Sequence, residues 1–476
     1  MCQSACFAPS LARNLPELLV CLRVRPLQPT KTIMVFRRRI SVALAVLALT
    51  GCGRSDVDSR SADERAFDEA VADFNASHFD AALEEFDAIW VDFPESVRHD
   101  DAGYFRSRSR QELGAFADAI ASFDALFSAH PETAFLDGGT FFRGRCRFSL
   151  ADFPEALADF DAVLALDVAG AYADNAQYWV GRSHFELGNL ATARLDFAKV
   201  ETAYPDSGYL TEARYWLGRS SYEAHLYAEA VAPFERALLE AESAYADNTH
   251  YYLGRTQFEL GDWAKARAAL AAVPTGSGYA DGAVFWLARS DFQIGSFTLA
   301  ATEFSAVVTD WPTSPWVESA SFWRGRSHYE AGDFLAARTE LAAFEVASPA
   351  SHWVDNARYY LGRAWFDDAI YGSAIPPFQR VPLTADSAFE DDAAYFVARS
   401  HYHGGSLTTA RDEFQTFRGA FSTSQYADNS YYWEIRADAD LPDCTAAKDA
   451  LTAYEGAFPQ SLSLAPAQTY VANRCP

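Results

Sequence analysis

The 476-residue sequence has no P-loop, no G-x-S-x-G elbow, no HExxH pair and no cluster of cysteine ligands. Those absences remove the common phosphate-cradling, acyl-transfer and zinc-hydrolase chemistries, and they leave no metal and no cofactor to expect. His401 and His403 come nearest to a metal pair, but a two-residue spacing puts their imidazoles on different faces of a helix. The expectation is a protein that is not an enzyme. Basic residues are scarce too: 39 Lys and Arg stand against 65 Asp and Glu, a net charge of −26. Such a surface repels nucleic acid and anionic lipid heads, so nucleic acid is excluded as a partner. The apolar run Ile40 to Leu49 is ten residues long, too short to span a bilayer.

What is present is a repeat. Copies of YADNAQYWVGRSHFELGNLATARLDFAKVETAYP (172–205) align on an arginine at positions 108, 145, 182, 219, 255, 289, 326, 363, 399 and 436, spaced 37, 37, 37, 36, 34, 37, 37, 36 and 37 residues apart. An earlier copy has Val71 at the arginine position, with Phe79, Ala82, Phe86, Ile89 and Pro94 in phase, which makes eleven units. A fixed period in the thirties signals stacked units, none of which buries its own apolar face. Each unit reads as two helices. Ser or Thr stands twelve residues before the arginine (Ser96, Thr133, Ser207, Ser243, Ser277, Ser314, Ser351, Ser387, Ser424), and is expected to cap helix A, with an acid such as Asp174 or Asp355 four residues on. Glycines 114, 188, 261, 295 and 332 end helix A in several copies, and helix B carries an apolar stripe such as Leu190, Ala193, Phe197 and Val200. Prolines 94, 131, 205, 312, 349 and 459 stop the pair.

These residues resemble the tetratricopeptide repeat. Gly144, Gly181, Gly218, Gly254, Gly325 and Gly362 match its small residue in helix A, and the alanines from Ala119 to Ala447 match its helix B alanine. The resemblance covers residues 65–459 and implies an all-α fold, a right-handed superhelical solenoid of about eleven helix pairs, with residues 460–476 as a C-terminal capping helix. The usual unit has about 34 residues, so three extra residues are expected between the proline and the next cap.

The N-terminal region is of another kind. Residues 1–33 lack periodicity and read as an over-called start before Met34. Residues 34–51, with Arg37, Arg38, Arg39, the apolar run and Leu49-Thr50-Gly51-Cys52, resemble a bacterial lipoprotein signal peptide. That resemblance implies lipidation of Cys52, membrane attachment through the lipid, and a tether over residues 52–64; Gly53 after the cysteine implies the outer membrane, with the repeats facing the periplasm. The mature chain then carries 32 basic and 64 acidic side chains, a net charge of −32. Among lipoproteins the repeats look most like barrel-assembly and Tol-Pal-associated tetratricopeptide proteins, which have similar Y-W-x-G helices, but here there are more units and an arginine ladder.

At about 100° per residue the arginine, the aromatic four before it and the acid four after it share one face of helix A. The candidate groove is therefore Tyr178, Arg182, Glu186, Tyr215, Arg219, Glu223, Tyr251, Arg255, Glu259, Arg289, Arg326, Tyr359 and Arg363. In the family this stripe lines the concave groove where extended peptides bind. Two readings stay open: a ladder that holds a ligand, or arginines that pair with their own Tyr and Glu to pack one unit on the next. The position two after the arginine varies freely (Arg110, Arg147, His184, Ser221, Gln257, Asp291, His328, Trp365, His401) and is expected to face solvent. Of the seven cysteines, Cys146 takes a slot that is serine elsewhere and reads as core, while Cys444 and Cys475 are placed to form a disulfide between the last helix B and the closing helix. The function expected is an outer-membrane scaffold holding proteins or extended peptides, with envelope or outer-membrane protein assembly as its setting. The alternative is a lipoprotein that binds peptidoglycan or polysaccharide through the same stripe.

Overall fold

The computed structural model describes residues 60–240, 243–381 and 389–476; Cys52, residues 1–51, most of the tether and Ser387 lie outside the described residues. Among the described residues there are 23 α-helices and no strand. Twenty-two form eleven pairs, from unit 1 (Ala62–Asn75 and Phe79–Asp92) through unit 4 (Ala173–Glu186 and Leu190–Ala203) to unit 11 (Ala427–Asp440 and Cys444–Ala457), and the last helix is Leu464–Arg474. No described helix is long and apolar enough to cross a membrane.

Full-length units use two 14-residue helices, a three-residue bend such as 187–189, and a six-residue link such as 204–209 to the next pair. The shorter periods come from helix B, which is cut to Tyr227–Ala237 in unit 5, Trp263–Leu270 in unit 6 and Tyr371–Gln379 in unit 9. The core explains the small residues. The helix B alanine is fully buried in all eleven units, from Ala82 to Ala447, because a larger side chain there would hold the two helices apart. Helix A meets it with Gly181 or Gly218, where a β-carbon would come within 2.8 Å of Phe197 or 2.7 Å of Phe234.

Helix A ends in the left-handed region at one fixed position. Gly114, Gly188, Gly261, Gly295 and Gly332 take it with φ between 75° and 90°, as does Gly405, but Ala151 and Ala369 are held there with φ of 60° and 59°. A β-carbon in that region is strained. Ala151→Gly and Ala369→Gly are each expected to raise stability by about 0.5–1 kcal/mol, read as a higher urea midpoint at unchanged m.

The recurring serines do not cap helix A. Helix A of unit 5 begins at Leu210, three residues after Ser207, and its N-cap is Tyr209 with no side-chain cap bond. Ser207 Oγ instead accepts from the Tyr209 amide at 3.1 Å and donates to Asp174 of unit 4 at 2.8 Å. The same bond joins Thr133 to Asp100, Ser314 to Asp281, Ser351 to Glu318 and Ser461 to Asp428. The serine and the acid thus recur because each ties one unit to its neighbour 33 residues away. Ser314→Ala leaves the Asp281 carboxylate and the Trp316 amide short of a partner and is expected to cost about 1–2 kcal/mol in urea denaturation.

The variable position two after the arginine also differs from expectation, since it packs against helix B rather than facing solvent. Ser221, Gln257 and Asp291 are buried. Arg147 pairs with Asp159 at 2.8 Å, His184 with Asp196 at 2.8 Å and His401 with Glu413 at 2.7 Å. It varies because each residue is matched to its own surroundings: in these three pairs the partner stands twelve positions later, whereas Ser221 donates to the Leu217 carbonyl and Asp291 pairs with Arg267; His403 stacks on Tyr371. Cys146 is fully buried and unpaired, and burial pushes its thiol up to about 12.

Candidate functional site

At most unit boundaries helix A touches helix A of the next unit, as with Val317–Glu330 against Val354–Asp367, whereas no pair of B helices is comparably close among the described residues. The A helices therefore lie on the inner side of the stack, and the arginines run along that side.

Arg182 shows how a rung is built. Its guanidinium carbon lies 3.8 Å from the centre of the Trp216 ring in the next unit. Nη1 donates to the Tyr178 hydroxyl at 3.4 Å, and Nη2 pairs with Glu186 at 3.2 Å. The plane is fixed by the ring and its outer edge is taken by the chain's own phenol and carboxylate. The pattern repeats: Arg108 on Phe142, Arg145 on Trp179, Arg219 on Tyr252, Arg255 on Trp286, Arg289 on Trp323, Arg363 on Phe396 and Arg399 on Trp433, at 3.5 to 4.4 Å. Arg326 lies over Tyr360 at 4.7 Å. Arg436, with no twelfth pair above it, lies over Tyr470 of the closing helix at 4.7 Å. Arginine flattened on a ring gives up water on one face and gains the ring quadrupole in return.

The tyrosines assigned to the groove are not on it. Tyr178, Tyr215, Tyr251 and Tyr359 are each 5% exposed or less, and their rings pack on the residue that opens the next helix A: Tyr178 on Tyr209 at 4.6 Å, Tyr359 on Phe389 at 4.5 Å, Tyr215 on Tyr245 and Tyr251 on Tyr279 at 5.0 Å. Only their hydroxyls reach the arginine rung, as at Arg255 and Arg363, both 3.1 Å. The acids do line the accessible edge: Glu186, Glu223 and Asp367 pair with Arg182, Arg219 and Arg363 from side chains that are roughly a third exposed. Glu259 adds its field to Arg255, and Arg326 reaches Glu330 at 3.7 Å.

The electrostatics follow the partners. Burial opposes the charge of Arg219, yet Tyr252, Tyr215 and Glu223 outweigh it and hold the pKa above the ordinary value. Arg289 has only the field of Glu259 in its favour: burial, then Arg326, pushes it down to about 10. The aromatic three before each arginine, Trp216 and its equivalents, is the element that sequence reasoning missed. It recurs in every copy that has the arginine, but its partner is the arginine of the preceding unit, which periodicity alone does not reveal.

At the end of the stack Cys444 and Cys475 form a disulfide with Cα atoms 5.2 Å apart. The closing helix occupies the place of a twelfth helix A: Ser461 repeats the bond to the preceding acid, and Tyr470 repeats the ring under the arginine.

A sequence model of the tetratricopeptide repeat family matches residues 143–208, 251–315 and 285–352. Among solved structures, a tetratricopeptide repeat protein from Parabacteroides merdae is 17% identical, covering 56% of this chain and 98% of its own, with a TM-score of 0.39. The C-terminal part of a repeat-containing protein from Cytophaga hutchinsonii is 11% identical over 61% of this chain and 98% of its own, with a TM-score of 0.37. The Cut9–Hcn1 hetero-tetramer of the APC/C is 11% identical over 87% of this chain and 97% of its own, with a TM-score of 0.35. No curated protein sequence matches. Residues 62–476 are an all-α solenoid of eleven tetratricopeptide-like helix pairs closed by one further helix.

Proposed function

We propose that the chain is a scaffold that holds other proteins or extended peptides along its A-helix side. The observation that carries this reading is the row of A helices, in contact across most unit boundaries, which presents a face edged with arginine and acid. A long face of this kind suits a partner that is itself extended. The rival glycan reading needs exposed aromatic faces along the stripe, and there the tyrosines are buried and the rings of the next unit are covered by arginine.

We place the scaffold at the outer membrane, anchored through lipid on Cys52 and facing the periplasm, in envelope or outer-membrane protein assembly. Support comes from the basic, apolar and lipobox segments in the right order. Cys52→Ala is then expected to move the protein from the membrane fraction to the soluble one and to abolish palmitate labelling.

The binding face is tested by photo-crosslinking in cells. Ser149 and Gln293 are exposed on helix A, and Leu195 is exposed on helix B. A photo-reactive residue at 149 or 293 is expected to capture a defined protein partner that the residue at 195 does not. Capture from 195 alone would place the binding face on the B helices and overturn the reading.

A further inference from the structure

Two rungs of the ladder differ from the others in the same way. Arg145 of unit 3 has Phe141 four residues before it and Ser149 four after; Arg289 of unit 7 has Phe285 and Gln293. The phenol and the acid that engage the guanidinium at Arg108, Arg182 and Arg363 are thus missing together. Arg326, the other arginine preceded by phenylalanine, keeps its acid, Glu330, at 3.7 Å.

The pose of the two arginines is nevertheless the common one. Arg145 lies 4.0 Å from the Trp179 ring centre and Arg289 lies 3.9 Å from that of Trp323. Stacking therefore fixes the plane of each guanidinium while no side chain of the rung takes its outer edge. Neighbours do not compensate. Burial comes first in both and leaves both pKa values lowered: Arg289 then feels Arg326 and Arg255 against the single acid Glu259, while Arg145 is helped by Tyr209, Tyr178 and Cys146, none of them a carboxylate, and opposed by Arg108. With Arg289 at about 10 it is still a cation at neutral pH. A desolvated, oriented cation without its counter-charge is costly to the fold and is favourable only when an anion arrives.

The filled rungs show which anion fits. In them a carboxylate meets Nη2 at 2.9 Å from Glu112, 3.2 Å from Glu186 and 3.1 Å from Asp367. A planar carboxylate matches the guanidinium fork.

We propose that units 3 and 7 are carboxylate-binding sites, where an acidic side chain of an extended polypeptide lying along the A helices takes the place that Glu186 holds at Arg182. This rests on the scaffold reading above and names the ligand chemistry of that face. It also explains how a chain with a net charge of −26 binds an acidic partner selectively. Attraction is strongest at the two vacant rungs, whose outer edges are open; Arg399 also lacks an acid, but its edge is taken by the Tyr395 hydroxyl and by His403, and long-range repulsion disfavours acidic chains lacking the right spacing.

The test uses the full chain and fluorescein-labelled hexaglutamate, with hexaglutamine as control, by fluorescence anisotropy at low salt. The informative variant fills both rungs without removing an arginine: Phe141→Tyr, Ser149→Glu, Phe285→Tyr and Gln293→Glu. Hexaglutamate is expected to bind the native chain at least tenfold more tightly than hexaglutamine. The filled variant should lose at least tenfold in affinity while its melting temperature holds or rises, and Arg145→Gln with Arg289→Gln should lose as much. Unchanged affinity in the filled variant overturns the proposal, as does binding of polygalacturonate in place of hexaglutamate. If photo-crosslinking at 293 still captures a protein while the two peptides bind alike, the scaffold stands and the carboxylate sites do not.

Discussion

Arg182→Ala is expected to lower stability by about 2–3 kcal/mol, the scale of a desolvated cation–π contact together with a buried phenol left without its donor. Three losses combine. The face of Trp216 loses its cation at 3.8 Å, the Tyr178 hydroxyl, 2% exposed as a residue, loses its donor, and Glu186 is left beside apolar surface. Because each unit contacts only its neighbours, the damage is local: the boundary between units 4 and 5 becomes the weakest in the stack, and unfolding should separate into two transitions there. Urea titration followed by far-UV circular dichroism, with hydrogen exchange to locate the break, reads both effects. Arg289→Ala supplies the contrast. It strands no phenol and no carboxylate, so only the stack on Trp323 is lost, and the expected cost is about 1–2 kcal/mol. Equal costs at the two rungs would contradict the distinction between filled and vacant rungs.

Removing the disulfide with Cys444→Ser and Cys475→Ser is expected to cost about 3–4 kcal/mol on the chain-entropy model, for a sequence separation of 31 residues. The loss should be confined to the end of the stack. The closing helix is otherwise held by Tyr470 on Asp440 at 2.6 Å, by Ser461 on Asp428 at 2.8 Å and by Val471 and Ala467 in the core. Hydrogen exchange should therefore rise over 427–474 and stay unchanged before unit 10. A global loss of protection would mean that the last helix nucleates the whole solenoid rather than closing it.

The repeat made most of this fold readable. The 37-residue spacing located every helix pair, and the glycine at the bend, the alanine of helix B and the proline after it each mark a local need that a single unit has by itself. What periodicity could not give is the identity of partners in different units. Ser207 looks like a helix cap from sequence because it precedes a helix, yet its bond goes to Asp174, 33 residues earlier. Tyr178 looks like a groove residue because it shares a helix face with Arg182, yet the next unit's Tyr209 covers it. The recurring serine, acid, arginine and ring serve the contact between units, and the departures from their recurrence mark what is specific to this chain. Arg145 and Arg289, with Phe, Ser and Gln where the pattern has Tyr and acid, were visible as such departures. Their meaning needed the geometry of the filled rungs.

The claim that the arginine ladder binds unit to unit is tested most directly by a double-mutant cycle on Arg182 and Trp216, using Arg182→Gln, Trp216→Leu and the double variant in urea denaturation. The ring lies in the unit after the arginine, so the cycle measures energy across the boundary alone. A coupling of about 1–2 kcal/mol is predicted, with the double variant less destabilised than the sum of the single ones. Costs that add to within about 0.3 kcal/mol would show that the stacked pair contributes nothing across the boundary.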